Sequence, residues 1–152
     1  MPFEIPSDFV LDQLFGYQTA NKIKNSIAAL AAVRFEKSFG GSREASINHN
    51  GTFDVFEFRD VQMDSTLLTG LTVRARVEGK TANAATSVTP RVRNVTDGAD
   101  HVTGTAITST SFVEQVLTMS PLTAGSKKYR LQGVTNNANN DVWLLGVCET
   151  YA

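Results

Sequence analysis

The stretch Leu71-Thr72-Val73-Arg74-Ala75-Arg76-Val77-Glu78 alternates apolar and polar residues without a break. A period of two is the pattern of a β-strand with one face buried and one face wet, whereas a helix would scatter those charges around its circumference. Short segments of the same kind recur about every 10 to 12 residues after Gly40-Gly41, in a background rich in threonine, serine and asparagine and punctuated by Gly and Pro. Strands are expected near Arg43–Ile47, Thr52–Val61, Leu71–Glu78, Thr86–Val95, Val102–Thr110, Phe112–Met119, Lys128–Thr135 and Asp141–Tyr151. With no helical pattern between them, these strands are expected to form a sandwich or a barrel.

Three local features refine that expectation. Asn50-Gly51 is a strong hairpin signal, since both residues tolerate the positive φ of a type I′ turn. In Phe53-Asp54-Val55-Phe56-Glu57-Phe58 the alternation slips at Val55-Phe56, which a β-bulge would restore. Pro90 lacks a backbone donor, so its strand is expected at an edge or bulged. Topology is hinted at by charge. A simple hairpin between Leu71–Glu78 and Thr86–Val95 would set Arg74 near Arg91, and facing like charges are destabilising. Strands that cross between two sheets avoid the contact. The expected fold is therefore a mainly β, jelly-roll-like antiparallel β-sandwich of about eight strands over residues 41–152.

Residues 1–40 read differently, as an N-terminal arm and short helical segment that precedes the sandwich. Ser7 or Asp8 can cap a helix running to Phe15, with Phe9, Leu11 and Leu14 apolar and Gly16 as its stop. Thr19 can cap a second helix in which Ile23, Ile27, Leu30 and Ala31 make one stripe. The run Ala28-Ala29-Leu30-Ala31-Ala32 favours helix and permits close approach of another surface. Phe3 and Ile5 lie in a proline-stiffened start that can dock as an arm. Phe3, Ile5, Phe9, Ile23, Ile27 and Leu30 are the candidate assembly contacts, on the sandwich itself or on a neighbouring subunit.

The inventory of chemistry is thin. Fourteen basic against 15 acidic residues give a net charge of −1, too balanced for a dedicated electrostatic nucleic-acid binder. One cysteine, Cys148, rules out an internal disulfide framework and a cysteine-based zinc site. No apolar run approaches roughly eighteen residues, so no membrane span is expected. The opening Met1–Pro6 lacks the basic and apolar regions of a secretory leader. His49 and His101 both fall in expected turns, and no Gly-x-Ser-x-Gly elbow, phosphate loop or zinc-protease motif accompanies them. Asp97, Asp100 and His101 read as a solvated loop rather than a cation site. Asn94-Val95-Thr96 matches a glycosylation sequon.

Two groups of side chains remain. Arg74, Arg76, Arg91 and Arg93 form a candidate basic surface for an acidic partner, against the plainer reading of arginines neutralised by neighbouring carboxylates. Tyr129, Trp143 and Tyr151 raise the possibility of a sugar-stacking platform. Trp143, however, alternates with Leu145 and Val147, which reads as a core face, while Cys148 shares parity with Leu144 and Gly146 and reads as a buried small hydrophobe. No catalytic, cofactor-binding or metal-binding residue is expected.

The segment Gly16-Tyr17-Gln18-Thr19-Ala20-Asn21-Lys22-Ile23-Lys24-Asn25-Ser26-Ile27 resembles a recurring element of tailed-bacteriophage virion proteins, a Gly and a Thr-Ala leading into a helix before a β-rich domain. Arg91-Val92-Arg93-Asn94-Val95-Thr96-Asp97-Gly98, Tyr129-Arg130-Leu131-Gln132-Gly133 and Val142-Trp143-Leu144-Leu145-Gly146-Val147 are similar to phage β-sandwich modules in head fibres, decoration proteins and tail appendages. The resemblance implies a non-enzymatic virion component whose partners are other capsid or tail proteins. It also implies a homo-oligomer, with the trimer common among such proteins, and no cofactor, nucleic acid or membrane. The alternative expectation is a carbohydrate-binding module that attaches a particle to a host glycan.

Overall fold

A computed structural model describes residues 36–43, 53, 58–137 and 140–151. All of them belong to the compact unit Arg34–Ala152; Met1–Val33 forms a separate unit. The candidate assembly contacts Phe3, Ile5, Phe9, Ile23, Ile27 and Leu30, the expected helices, the Asn50-Gly51 turn and the Val55-Phe56 bulge lie outside the described residues.

Among the described residues eight strands form: β1 (Glu36–Gly41), β2 (Asp60–Asp64), β3 (Thr72–Thr81), β4 (Val88–Asn94), β5 (Ala99–Thr103), β6 (Val113–Thr118), β7 (Ser126–Thr135) and β8 (Val142–Tyr151). They build two four-stranded antiparallel sheets, sheet A in the order β1-β8-β3-β6 and sheet B in the order β2-β7-β4-β5. First pairs with last, second with seventh, third with sixth and fourth with fifth. This nested pairing is that of one long antiparallel ribbon rolled up until β8 also meets β3 and β7 also meets β4. The fold is an eight-stranded jelly-roll β-sandwich. β3 and β4 lie in different sheets, so Arg74 and Arg91 never face each other.

The core follows from alternation. Val73, Ala75 and Val77 of β3 and Val142, Leu144 and Cys148 of β8 point inward from sheet A. They meet Val61, Met63, Val88, Val92, Tyr129 and Leu131 from sheet B. One close approach sets the spacing. A Cβ on Gly146 would lie 2.7 Å from Leu131 Cδ2, so the glycine lets the sheets meet there.

Three local expectations need correction. Gly40-Gly41 sits inside strand β1, where a helical segment was expected to end. Both glycines take positive φ, 95° and 86°, and the register against β8 slips between Ser38 and Gly40. A side chain at Gly41 would collide with the Leu144 carbonyl at 2.2 Å, so the pair makes a β-bulge in close contact with β8. Pro90 lies in β4, an internal strand of sheet B rather than an edge, and the pairing of β4 with β5 shifts register between Val92 and Arg93. Val88 two residues earlier bonds the Ile107 bridge, so the missing Pro90 donor faces the same side, past the end of β5 at Thr103. Finally, the expected strand Val102–Thr110 is displaced: β5 ends at Thr103 and the chain then runs irregularly past Ile107.

Candidate functional site

The four arginines of the expected basic surface divide two and two between the sheets. Arg74 and Arg76 project from β3 on the outer face of sheet A. Arg74 binds Glu149 and lies 4.5 Å over the Tyr151 ring; Arg76 is 3.8 Å from Glu114. Arg91 and Arg93 project from β4 on the outer face of sheet B. Arg91 donates to Gln132 at 2.8 Å and to Asp100 at 2.6 Å, and its guanidinium stacks 3.7 Å from the Phe53 ring centroid. Arg93 donates to Asp100 at 2.8 Å and to the Gly98 carbonyl. Each guanidinium therefore lies beside a carboxylate, Arg91 and Arg93 sharing Asp100, and the four do not make one positive surface.

Arg74 differs from the rest in its partner. Glu149 is 5% exposed, and hydrogen bonding to that carboxylate holds the Arg74 guanidinium above its usual value. This is a paired buried charge, costly to leave alone. The other pairs are surface contacts, each contributing about 0–1 kcal/mol.

The aromatics also separate. Tyr129 is fully buried, its hydroxyl accepting from the Thr123 amide at 3.2 Å. Trp143 is not core, contrary to its apparent parity. On β8 the inward residues are Val142, Leu144, Gly146 and Cys148, so Trp143, Leu145 and Val147 point outward and are half-buried. Both faces of β8 are apolar, which leaves periodicity ambiguous. The signal that decides is Gly146, because a small residue is needed inward against Leu131.

Trp143 pairs across the sheet with Lys80, whose Nζ lies 4.4 Å from the indole ring and 5.1 Å from the Phe112 ring. Arg43 places its guanidinium 4.7 Å from the same Phe112 ring and forms an ion pair with Glu78. At one end of the outer face of sheet A, two cations are thus seated on two aromatic rings, with one carboxylate beside them. Such contacts contribute about 0.5–2 kcal/mol each, depending on how dry they are. Lys80 belongs to the alternating stretch around β3, but nothing in the sequence links it to Phe112 or Arg43. That cluster exists only once β1, β3 and β8 are neighbours.

The remaining polar residues serve the scaffold. His101 lies in β5 rather than in a turn; its Nε2 is 2.6 Å from the Met119 carbonyl and its ring packs edge-on to Tyr129. Asp97 accepts from Lys127 at 2.7 Å and from Asn94 at 2.8 Å, and the Lys127 hydrogen bond holds its carboxyl below the ordinary value of 3.8. Asn94, the sequon asparagine, is 3% exposed with its amide nitrogen donating to Asp97 and Thr123, which leaves it inaccessible to a glycosyl group. Cys148 lies against the Met63 sulfur at 3.4 Å, and burial pushes its thiol up to about 12. His49 lies outside the described residues. Among the described residues no group of three His, Cys, Asp or Glu side chains could hold a metal ion.

No family model and no curated protein matches the sequence. Solved structures do. VP2 in the subviral particle of infectious bursal disease virus matches with a TM-score of 0.51 at 10% identity, over 78% of this chain and 32% of that one. The structure of the Gx strain of the same virus matches with a TM-score of 0.50 at 12% identity, over 78% and 31%. The CBM36-1 domain of a multidomain xylanase from the hindgut metagenome of Trinervitermes trinervoides matches with a TM-score of 0.47 at 11% identity, over 79% and 98%. The chain thus spans about a third of the length of the viral chains it matches. At these identities the likeness is one of fold: the sandwich is shared with a protein of a viral particle.

Proposed function

We propose that this chain is a non-enzymatic structural component of a tailed-phage particle, decorating or stabilising the virion surface through protein–protein contacts. The observation that supports the reading is the eight-stranded sandwich itself, a fold shared with a protein of a viral particle. The resemblance of Gly16–Ile27 and of the later segments to phage virion proteins supports the tailed-phage part of it. The arrangement of titratable groups agrees. Arginines are matched with carboxylates, His101 is tied to a backbone carbonyl and Cys148 is buried, so each is spent on holding strands together. The assembly function is assigned to the N-terminal unit.

Light scattering tests this. The full chain is expected to be a trimer, and a chain starting at Arg34 a folded monomer. A monomeric full chain whose Arg34–Ala152 form does not fold would refute it, because residues 1–33 would then only complete the sandwich.

A second reading, a carbohydrate-binding module for host attachment, is favoured by one observation. Trp143 faces outward beside Phe112 and Lys80 instead of filling the core.

A further inference from the structure

The cluster at the end of sheet A is unbalanced in charge. Lys80 and Arg43 are cations, and Glu78 is the carboxylate, paired with Arg43. Among the described residues the Lys80 ammonium has no carboxylate partner; it is held by the Trp143 and Phe112 rings alone. A cation seated on rings keeps most of its attraction for an anion, because the ring quadrupole neutralises no net charge. The rings next to it offer flat apolar surface that suits the C–H face of a sugar. Lys80 and Arg43 each lie near the Phe112 ring, and Glu78 already answers the charge of Arg43, which leaves Lys80 as the cation open to an anion.

We infer that Trp143, Phe112 and Lys80 form a binding site for a carboxylated saccharide, the sugar ring against the aromatics and its carboxylate on the Lys80 ammonium. The inference rests on the carbohydrate-binding reading and narrows it to acidic sugars. Neutral glycans would leave the Lys80 charge unanswered, and a bare carboxylate would leave the rings uncovered.

Trp143 is the only tryptophan in the chain, so its fluorescence reports this site and no other. The full chain is titrated with hexuronate trisaccharides and with sialyllactose, each alongside its methyl ester, which keeps the shape and removes the charge. A saturable change in Trp143 emission is expected with the acids. The esters are expected to bind about tenfold more weakly, the loss of one charge-assisted contact. Lys80→Gln should weaken binding of the acids by a similar factor and leave binding of the esters unchanged, both read at a temperature at which the variant is fully folded. Equal binding of acid and ester overturns the acidic specificity and leaves the broader carbohydrate reading standing. No saturable binding of any acid or ester up to 10-fold above millimolar concentration overturns both. Binding of an aspartate-rich peptide with no response to the sugars overturns the saccharide assignment in favour of an acidic protein partner.

Discussion

Gly146 on β8 and Leu131 on β7 oppose each other across the sandwich, and together they make a sharp test of how the two sheets are spaced. A methyl at position 146 would lie 2.7 Å from Leu131 Cδ2, 3.4 Å from the Arg76 carbonyl and 3.5 Å from Val77 Cγ2. Leu131 is 0% exposed, so its side chain has little room to swing away. Gly146→Ala is therefore expected to cost about 2 kcal/mol, within the range for overpacked cores. Leu131→Ala alone should cost about 3.5 kcal/mol through lost burial and the cavity left behind. In the double variant the new methyl enters the space that Leu131 vacates. Its overpacking cost disappears, and about 0.8 kcal/mol returns for a buried methyl. Independent sites would give a loss of about 5.5 kcal/mol, whereas facing sites should give about 3 kcal/mol. Urea denaturation of the parent, both single variants and the double variant measures the difference. At about 4 °C per kcal/mol it also appears as a melting temperature for the double variant above that of Leu131→Ala. Losses that add to within about 0.5 kcal/mol would refute the claim that these residues set the inter-sheet distance.

Three further outcomes follow from the same geometry. Arg74→Ala strands the 5% exposed Glu149 without its counter-ion, while Arg76→Ala releases Glu114, whose side chain is 47% exposed; thermal melts should show a clearly larger loss for the first, and equal losses would contradict the assignment. Cys148, with its thiol raised to about 12 by burial and by the neighbouring Glu149 charge, should resist a thiol-reactive dye at pH 8 in the folded chain and react fully in urea; fast labelling of folded protein would mean that the core opens there. Asp97 has its carboxyl lowered in the folded state, so the stability it contributes is present above its ordinary value of 3.8 and is lost as pH falls through the lower folded value. Asp97→Asn should accordingly lower the melting temperature at pH 7 and converge on the parent in acid, and a constant difference between pH 7 and pH 2 would exclude the Lys127 contact as its cause.

Some strands were legible because their chemistry is local. β3 alternates so strictly that no partner is needed to assign it, and Arg74 with Arg91 carried topological information through their mutual repulsion. β1 was not legible. Glu36-Lys37-Ser38-Phe39-Gly40-Gly41 buries a single large side chain, Phe39, and its two glycines look like a break in structure. It is a strand because β8, more than a hundred positions away, offers it a ladder, and no window of sequence contains both. The place of His101 in β5 was not legible for a related reason. The Asp97-Gly98 turn is tight, with Gly98 at φ 68°, so the chain has already returned to the sheet by Ala99. The candidate site was legible only as its separate residues. Trp143 stands out as the lone tryptophan, but Arg43, Lys80 and Phe112 come from three different parts of the chain and meet through the roll of the ribbon.

The two outer faces that this roll creates are chemically unlike. On sheet B the arginines of β4 are locked by Asp100, Gln132 and Phe53, and the strands alternate as one-sided strands do. On sheet A the central strand β8 is apolar on both sides, with Val142, Leu144 and Cys148 inward and Trp143, Leu145 and Val147 outward. The core accounts for the first set and not for the second. In antiparallel sheets, strands apolar on both sides are usually covered on both sides. Sheet A is therefore the face on which a ligand or a neighbouring subunit has the most to gain, and the single tryptophan lies within it. Two occupants of that face separate in one cuvette. Coverage by another protein chain shifts Trp143 emission as protein concentration rises with no sugar present. Coverage by a saccharide shifts it only on titration with sugar, at any protein concentration. An emission that responds to neither would mean that the outward residues of β8 serve the isolated sandwich alone, through the cation–aromatic contacts that Lys80 and Arg74 already make across the sheet.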